Sequence, residues 1–238
     1  MSAILGRGGK KGWSALIFLG LLSACAYSGG TEDVANPLVR KATWFDFVGG
    51  GDLRRACRPG APENYRFVYN ADYEEQIRIY SFFPTKVGAG LGAGRLESRV
   101  LGQGNLALLR SGDDWAPWHG KAETHLLSPE EGGRLWQGML ASGLFEAPPK
   151  GLQLRSEQFY WTAAACHDGH FYFSAWLYPP EGSRPNEFAP LLLSFDQTGV
   201  PANPPQVFVE TAERLNQILN HQVISFTLQV GGNGLVGQ

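Results

Sequence analysis

The stretch FYWTAAACHDGHFYFSAWLY, residues 159–178, decides the fold. Asp168-Gly169 sits between two β-rich runs. It suits a two-residue hairpin turn, because both central positions of that turn need positive φ. With that turn, His167 faces His170 and Cys166 faces Phe171. One side of the hairpin then carries Tyr160, Thr162, Ala164 and Cys166 with Phe171, Phe173, Ala175 and Leu177. The other carries Phe159, Trp161, Ala163, Ala165 and His167 with His170, Tyr172, Ser174, Trp176 and Tyr178. Both sides are apolar enough to be covered, so the hairpin belongs at the centre of a sheet. Alanines opposite bulky aromatics leave room for a helix to lie across. The strip holding Trp161, Trp176 and Tyr178 reads as core; the alternative is an open platform for a glycan or partner.

The same period-two pattern recurs upstream. Tyr65, Phe67 and Tyr69 alternate with Arg66, Val68 and Asn70, and Ile77 and Ile79 alternate with Gln76, Arg78 and Tyr80. Asn70-Ala71-Asp72 joins them as a hairpin, and Pro84 closes it. Further strands are expected at 95–101, 106–110 and 223–230. Asn36-Pro37 opens a helix through Phe47, and Asp52 caps a short one through Ala56. Ser128-Pro129-Glu130-Glu131 is a capping-box start, with Trp136, Leu140 and Leu144 as the buried stripe. Helices follow at 186–195 and 207–220, the latter with Phe208, Ala212, Leu215 and Leu219 on one face. Strands and helices mix without a strict βαβ rhythm. The fold class is α+β, an antiparallel sheet built from hairpins and packed by two or three helices.

The chain has 238 residues, 43% hydrophobic and 18% charged, with a net charge of −2. That balance is globular, and it excludes a strongly basic nucleic-acid binder. Glycine (31) and proline (15) imply many turns. The amino terminus reads as an address. Arg7, Lys10 and Lys11 precede a short apolar run, Trp13 to Leu22, with no acid in the first 24 residues. The run is about half of the ~20 residues that cross a bilayer as a helix. This is the layout of an export signal.

Leu22-Ser23-Ala24-Cys25 follows, and it resembles the lipobox of bacterial lipoproteins. The resemblance covers only the first 25 residues. It implies that the Cys25 thiol receives a diacylglycerol, that a peptidase cuts before it, and that the new amine is often acylated, with palmitate as the expected acyl group. The competing readings are an ordinary cleaved signal and an uncleaved anchor. Ala26 after the cysteine, rather than the aspartate of an inner-membrane retention signal, points to the periplasmic side of the outer membrane. The domain plan is a signal peptide at 1–24, a flexible tether at 25–36, one globular domain at 37–230 and a flexible tail at 231–238. From Cys25 onward the chain keeps 17 basic and 22 acidic residues, a formal charge of −5. A mildly acidic body draws nothing from anionic headgroups, so the lipid does the tethering.

With Cys25 lipidated, Cys57 and Cys166 remain, and an oxidising compartment favours their disulfide. No Cys-x-x-Cys occurs. Other candidates are weaker. His167 and His170 form a possible metal pair without a third ligand tied to them by spacing. Residues 88–94 place glycine at every second position, which reads as a flexible loop rather than a phosphate cradle. Asp113-Asp114-Trp115-Ala116-Pro117-Trp118-His119 gathers acids, tryptophans and a histidine. Arg66 and Arg78, expected on one polar face of the first hairpin, offer a place for an anionic group. No Gly-x-Ser-x-Gly and no His-Glu-x-x-His is present. The reading is a lipid-anchored envelope protein that acts by binding, as an accessory or assembly component with a protein partner and no cofactor. The alternative is an envelope hydrolase, possibly metal-dependent, with its site near His167/His170 or Asp113–His119.

Overall fold

Alternating apolar residues make Asn64–Ala71 a strand (β1) buried on both of its faces, and the rest of the molecule is arranged around it. The computed structural model describes residue 27 and residues 33–87, 90–102, 118–180, 185–220 and 222–236. Cys25, the 106–110 strand and Asp113–Pro117 lie outside these. β1 pairs with β2 (Gln76–Val87), which continues through β3 (Gly90–Gly102) to β4 (Lys121–Leu127). On its other edge β1 pairs with β6 (Phe159–His167), and β6 with β7 (His170–Tyr178). The order is β4-β3-β2-β1-β6-β7 and every pairing is antiparallel. A separate pair joins β5 (Gln153–Arg155) to β8 (Thr227–Gln229). The chain is therefore α+β with an antiparallel sheet.

The deciding hairpin forms in the register its sequence sets: His167 pairs with His170, Cys166 with Phe171 and Trp161 with Trp176. Asp168 and Gly169 carry φ of 47° and 75°. Only β6 is central, however; β7 is an edge strand. A hairpin's own alternation does not say on which side the next strand docks. The first hairpin is longer than expected. Pro84 does not end β2, because the register shifts between Pro84 and Lys86 and pairing resumes. A proline lacking its N–H is tolerated at such an irregularity. The glycine-rich run is not a loop from Gly90 onward but the start of β3. A Cβ on Gly132 would lie 1.8 Å from the Gly92 carbonyl oxygen, so this helix and strand meet backbone to backbone.

Helices cover both faces. On one lie α1 (Pro37–Val48) and α2 (Gly51–Ala56), through Trp44, Phe47, Val48 and Leu53. Asn36 caps α1, accepting from the Leu38 and Val39 N–H groups. Asp52 does not cap α2, which has no side-chain cap; it is drawn to Arg66 instead. Gly50, between the helices, has φ 69° and rests on Ala164. This is the close approach the alanines of β6 allow. The bridge joining Cys57 to Cys166, Cα–Cα 5.5 Å, fastens the end of α2 to β6.

On the other face lie α3 (Pro129–Ala141) and α4 (Ala189–Phe195). Ser128 and Glu131 form the capping box of α3. The buried stripe of α3 is offset by one position from the expected one. Leu135 and Met139 are buried, Leu140 is 41% exposed, and Trp136 is half-buried. The last helix, α5, is shorter than expected, Ala212–Leu219, and none of its residues is buried. β8 is likewise shorter than the expected 223–230 strand.

The ends differ from expectation too. Tyr27, Val34 and Ala35 are buried, so the tether is not a slack leash over its full length. The segment 231–236 folds back: Gly231 N–H donates to Gly234 O, and Val236 N–H to Gln229 O. Arg54 donates to Asn233 O and pins that turn to α2.

Gly50→Ala is expected to cost about 2–4 kcal/mol in urea unfolding, combining left-handed strain with overlap on Ala164. Gly60→Ala, at φ 82° with nothing within 4 Å, carries the strain alone and should cost less.

Candidate functional site

Trp161 and Trp176 face each other across β6 and β7, near the end of the hairpin remote from its turn. Each ring is fixed by neighbours. Trp161 stacks on Tyr69 at 4.8 Å and on Tyr80 at 5.9 Å. Phe188 meets Trp161 and Trp176 edge-on, at 5.8 and 4.8 Å. Trp176 Nε1 donates to Ser142 O at 3.1 Å, tying β7 to the end of α3. Both indoles are buried, and in this the core reading holds. Their outer edges, however, form the floor of a cavity of about 170 Å³, walled by Tyr178, Pro180, Pro185 and Pro205. Tyr178, 38% exposed, stands at the rim. Tyr69 donates its hydroxyl to Asn203 O, and burial raises its pKa, so it stays protonated.

Asn186 also lines the cavity. Asn186 spends its Oδ1 on the Ala189 N–H at 3.1 Å, at the start of α4. Its Nδ2 is buried and has no hydrogen-bond partner among the described residues. An amide N–H₂ left so is costly unless an acceptor arrives. The described wall contains no Asp, Glu, His, Lys or Arg. Its chemistry is burial of a ring or a branched side chain.

The other sequence candidates do not converge. His167 Nδ1 is engaged by Glu63 Oε2 at 2.8 Å and Tyr65 Oη at 2.7 Å. Glu63 also accepts from Tyr65 Oη at 2.6 Å and from the Asp168 N–H at 2.9 Å. Trp136 and Phe145 pack against the imidazole, at 4.9 and 5.3 Å. This knot clamps the hairpin turn to the start of β1. Burial first, then the Glu63 hydrogen bond, raises the Tyr65 pKa. His170 Nδ1 lies instead 3.0 Å from Asp168 O, and its side is exposed. His125, on β4, meets Gln197 and Glu131. The His119 carbonyl accepts from Arg99. Among the described residues no group of three or more His, Cys, Asp or Glu side chains is placed to hold a metal ion.

Arg66 and Arg78 do not share a polar face. Arg66 pairs in register with Ser81 and Arg78 with Tyr69, which puts them on opposite faces of the sheet. Both are buried in ion pairs. Arg66 makes a two-pronged contact with Asp52, at 2.8 and 2.6 Å, over the Phe47 ring. Arg78, 1% exposed, donates to Asp196 at 2.6 Å and to Gln76 at 3.0 Å. Neither is available to an anionic ligand. Glu63, Asp196 and Asn186 were not singled out from the sequence. Each lies outside the alternating strands, and no spacing rule links it to its partner.

No protein-family model matches the chain, and no curated protein or solved structure matches it.

Removing one partner of the Arg78–Asp196 pair leaves a buried charge, so Arg78→Met should cost about 3–5 kcal/mol. Burial pushes the Asp196 carboxyl up, but the Thr198 and Tyr80 hydrogen bonds and Arg78 outweigh it and hold its pKa below the ordinary value. A depressed folded pKa stabilises above the unfolded value, ~3.9, and that contribution is lost as pH falls through the folded one. Asp196→Asn should therefore be the less stable protein near neutrality. The gap to the unsubstituted protein should narrow on acidification below about pH 4, as read by chemical unfolding at each pH.

Proposed function

We propose that this chain is a lipid-anchored protein of the bacterial envelope that acts by binding, as an accessory or assembly component on the periplasmic side of the outer membrane. The lipobox at 22–25 supports the anchor, and the Cys57–Cys166 bridge suits an oxidising compartment. One observation carries the binding role: an aromatic and proline cavity of about 170 Å³ with no Asp, Glu, His, Lys or Arg in its described wall. Such a place suits an apolar guest. The histidines that would serve hydrolysis lie on separate elements, each with its own partner. Anchoring confines the cavity to a membrane surface and raises its effective concentration toward membrane-bound partners.

The guest is a protein side chain of ring or branched aliphatic size, contributed by an envelope partner. Two acyl chains or more give stable anchoring, since each buried CH₂ contributes ~0.8 kcal/mol and a single chain is marginal.

Cys25→Ser should lose all incorporation of a clickable palmitate analogue and leave the membrane fraction; retained label would end the anchor reading. A photo-crosslinking phenylalanine at Tyr178 should yield a discrete protein adduct in cells. Filling the cavity with Ala189→Phe should lower its yield about tenfold, the equivalent of ~1.4 kcal/mol. An adduct insensitive to that substitution would end the cavity's role.

A further inference from the structure

The molecule's overall acidity conceals a local reversal. Between residues 33 and 60 there are five basic side chains, Arg40, Lys41, Arg54, Arg55 and Arg58, and three acids. Two of those acids, Asp46 and Asp52, are held in ion pairs by Arg55 and Arg66. Residues 33–60, which make α1 and α2, thus carry a formal charge of +2 in a body whose formal charge is −5. On α1, Leu38 is 66% exposed and Phe45 is 45% exposed. They are two turns apart and share one stripe with Lys41 and Ala42, both exposed. No acid lies on that stripe.

The chain leading from the lipobox meets the same layer. The Tyr27 ring is buried 5.0 Å from Phe47. Its N–H donates to Asp46 Oδ2 at 2.6 Å, and its carbonyl accepts from Arg55. Asp46 is the residue next to Phe45. Cys25 is two residues before Tyr27 in the sequence, and Tyr27 is fixed to α1 and α2. Acyl chains on that cysteine cannot enter a bilayer without bringing this layer down to the headgroups.

We infer that the outer face of α1, Leu38, Lys41, Ala42 and Phe45, is a membrane-docking surface that rests on an anionic bilayer beside the acylated Cys25. The inference rests on the lipid-anchor reading and adds an orientation to it. The apolar side chains enter the headgroup region, and Lys41 faces anionic phosphates. The α3 and α4 side of the sheet then points away from the membrane.

The test uses the acylated full chain in vesicles of phosphatidylethanolamine and phosphatidylglycerol doped with nitroxide lipid. Trifluoromethylphenylalanine is placed at Phe45 in one sample. In a second it replaces exposed Leu140 on α3, which packs on the opposite face of the sheet. The fluorine resonance at position 45 should broaden on adding nitroxide lipid while that at 140 keeps its width. Equal broadening, or none at 45, overturns the inference. Broadening at 45 without nitroxide, growing with protein concentration, shows a second copy on this face and overturns it too. Intact mass of the Cys25 fragment reports the anchor separately. In a second arm, the unacylated Cys25→Ser body is sedimented with phosphatidylglycerol vesicles at low salt. It should bind weakly, Lys41→Ala should weaken it about fivefold, and added salt should release it. Binding unchanged by Lys41→Ala and by Phe45→Asp overturns the docking surface even if the lipid on Cys25 is found.

Discussion

The structure depends on the burial of β1 and β6 from both sides. Seven of the eight residues of β1, and eight of the nine of β6, are buried. Large side chains leave each strand in both directions, so one helical layer is not enough. The two clusters that result are separate cores with a shared floor. One is built from Phe67, Tyr80, Trp161 and Phe188 under α3 and α4; the other from Phe47, Ile77, Tyr160 and Phe173 under α1 and α2. Apolar burial supplies the drive at roughly 25 cal/mol per Å². The alternation sets the geometry, because a slip of one residue would exchange the two cores.

Each core contains one arginine from the first hairpin, and each arginine fastens a segment that the sheet itself does not hold. Arg66 reaches Asp52 at the start of α2 and the Phe47 carbonyl at the end of α1. Arg78 reaches Asp196 just after α4 and the Val200 carbonyl in the loop beyond. Buried pairs of this kind add little net stability, since desolvation offsets the attraction. What they do is select one position for a loop among many apolar alternatives. The loop that Arg78 fixes continues to Asn203 and Pro205, which hold Tyr69 and wall the aromatic cavity. The cavity is therefore a consequence of the ion pair on the same face. The Cys57–Cys166 bridge and the Gly50–Ala164 contact hold the opposite layer, the one to which Tyr27 is fixed.

The α1 stripe and the aromatic cavity face different ways. The stripe lies on the side to which Tyr27 is fixed, and the cavity lies at the end of the hairpin, on the side of α4. In the proposed reading, the first meets the membrane and the second is presented to a partner. The polar knot of Glu63, Tyr65 and His167 stands at the other end of the same hairpin and secures its turn.

The 159–178 hairpin, its register, the capping box at Ser128 and the α+β class were legible because each rests on neighbours in sequence. A turn dipeptide, a three-residue spacing and a period of two are local quantities. The stripe of α3 was legible only to within one position. Leu135/Met139 and Trp136/Leu140 are both spaced four residues apart, and only the approach of the helix to Gly92 and β3 chooses between them. The partners of Arg66 and Arg78 were not legible at all. Asp52 and Asp196 come near through the path of loops, and the alternation that put the two arginines in neighbouring strands was misread as one shared face. The sequence by itself determined where the chain turns and which residues alternate. Only the tertiary structure decided what covers each face, where charge collects and how the cavity closes, because those depend on which distant segments meet, and a local pattern carries no term for distance through space.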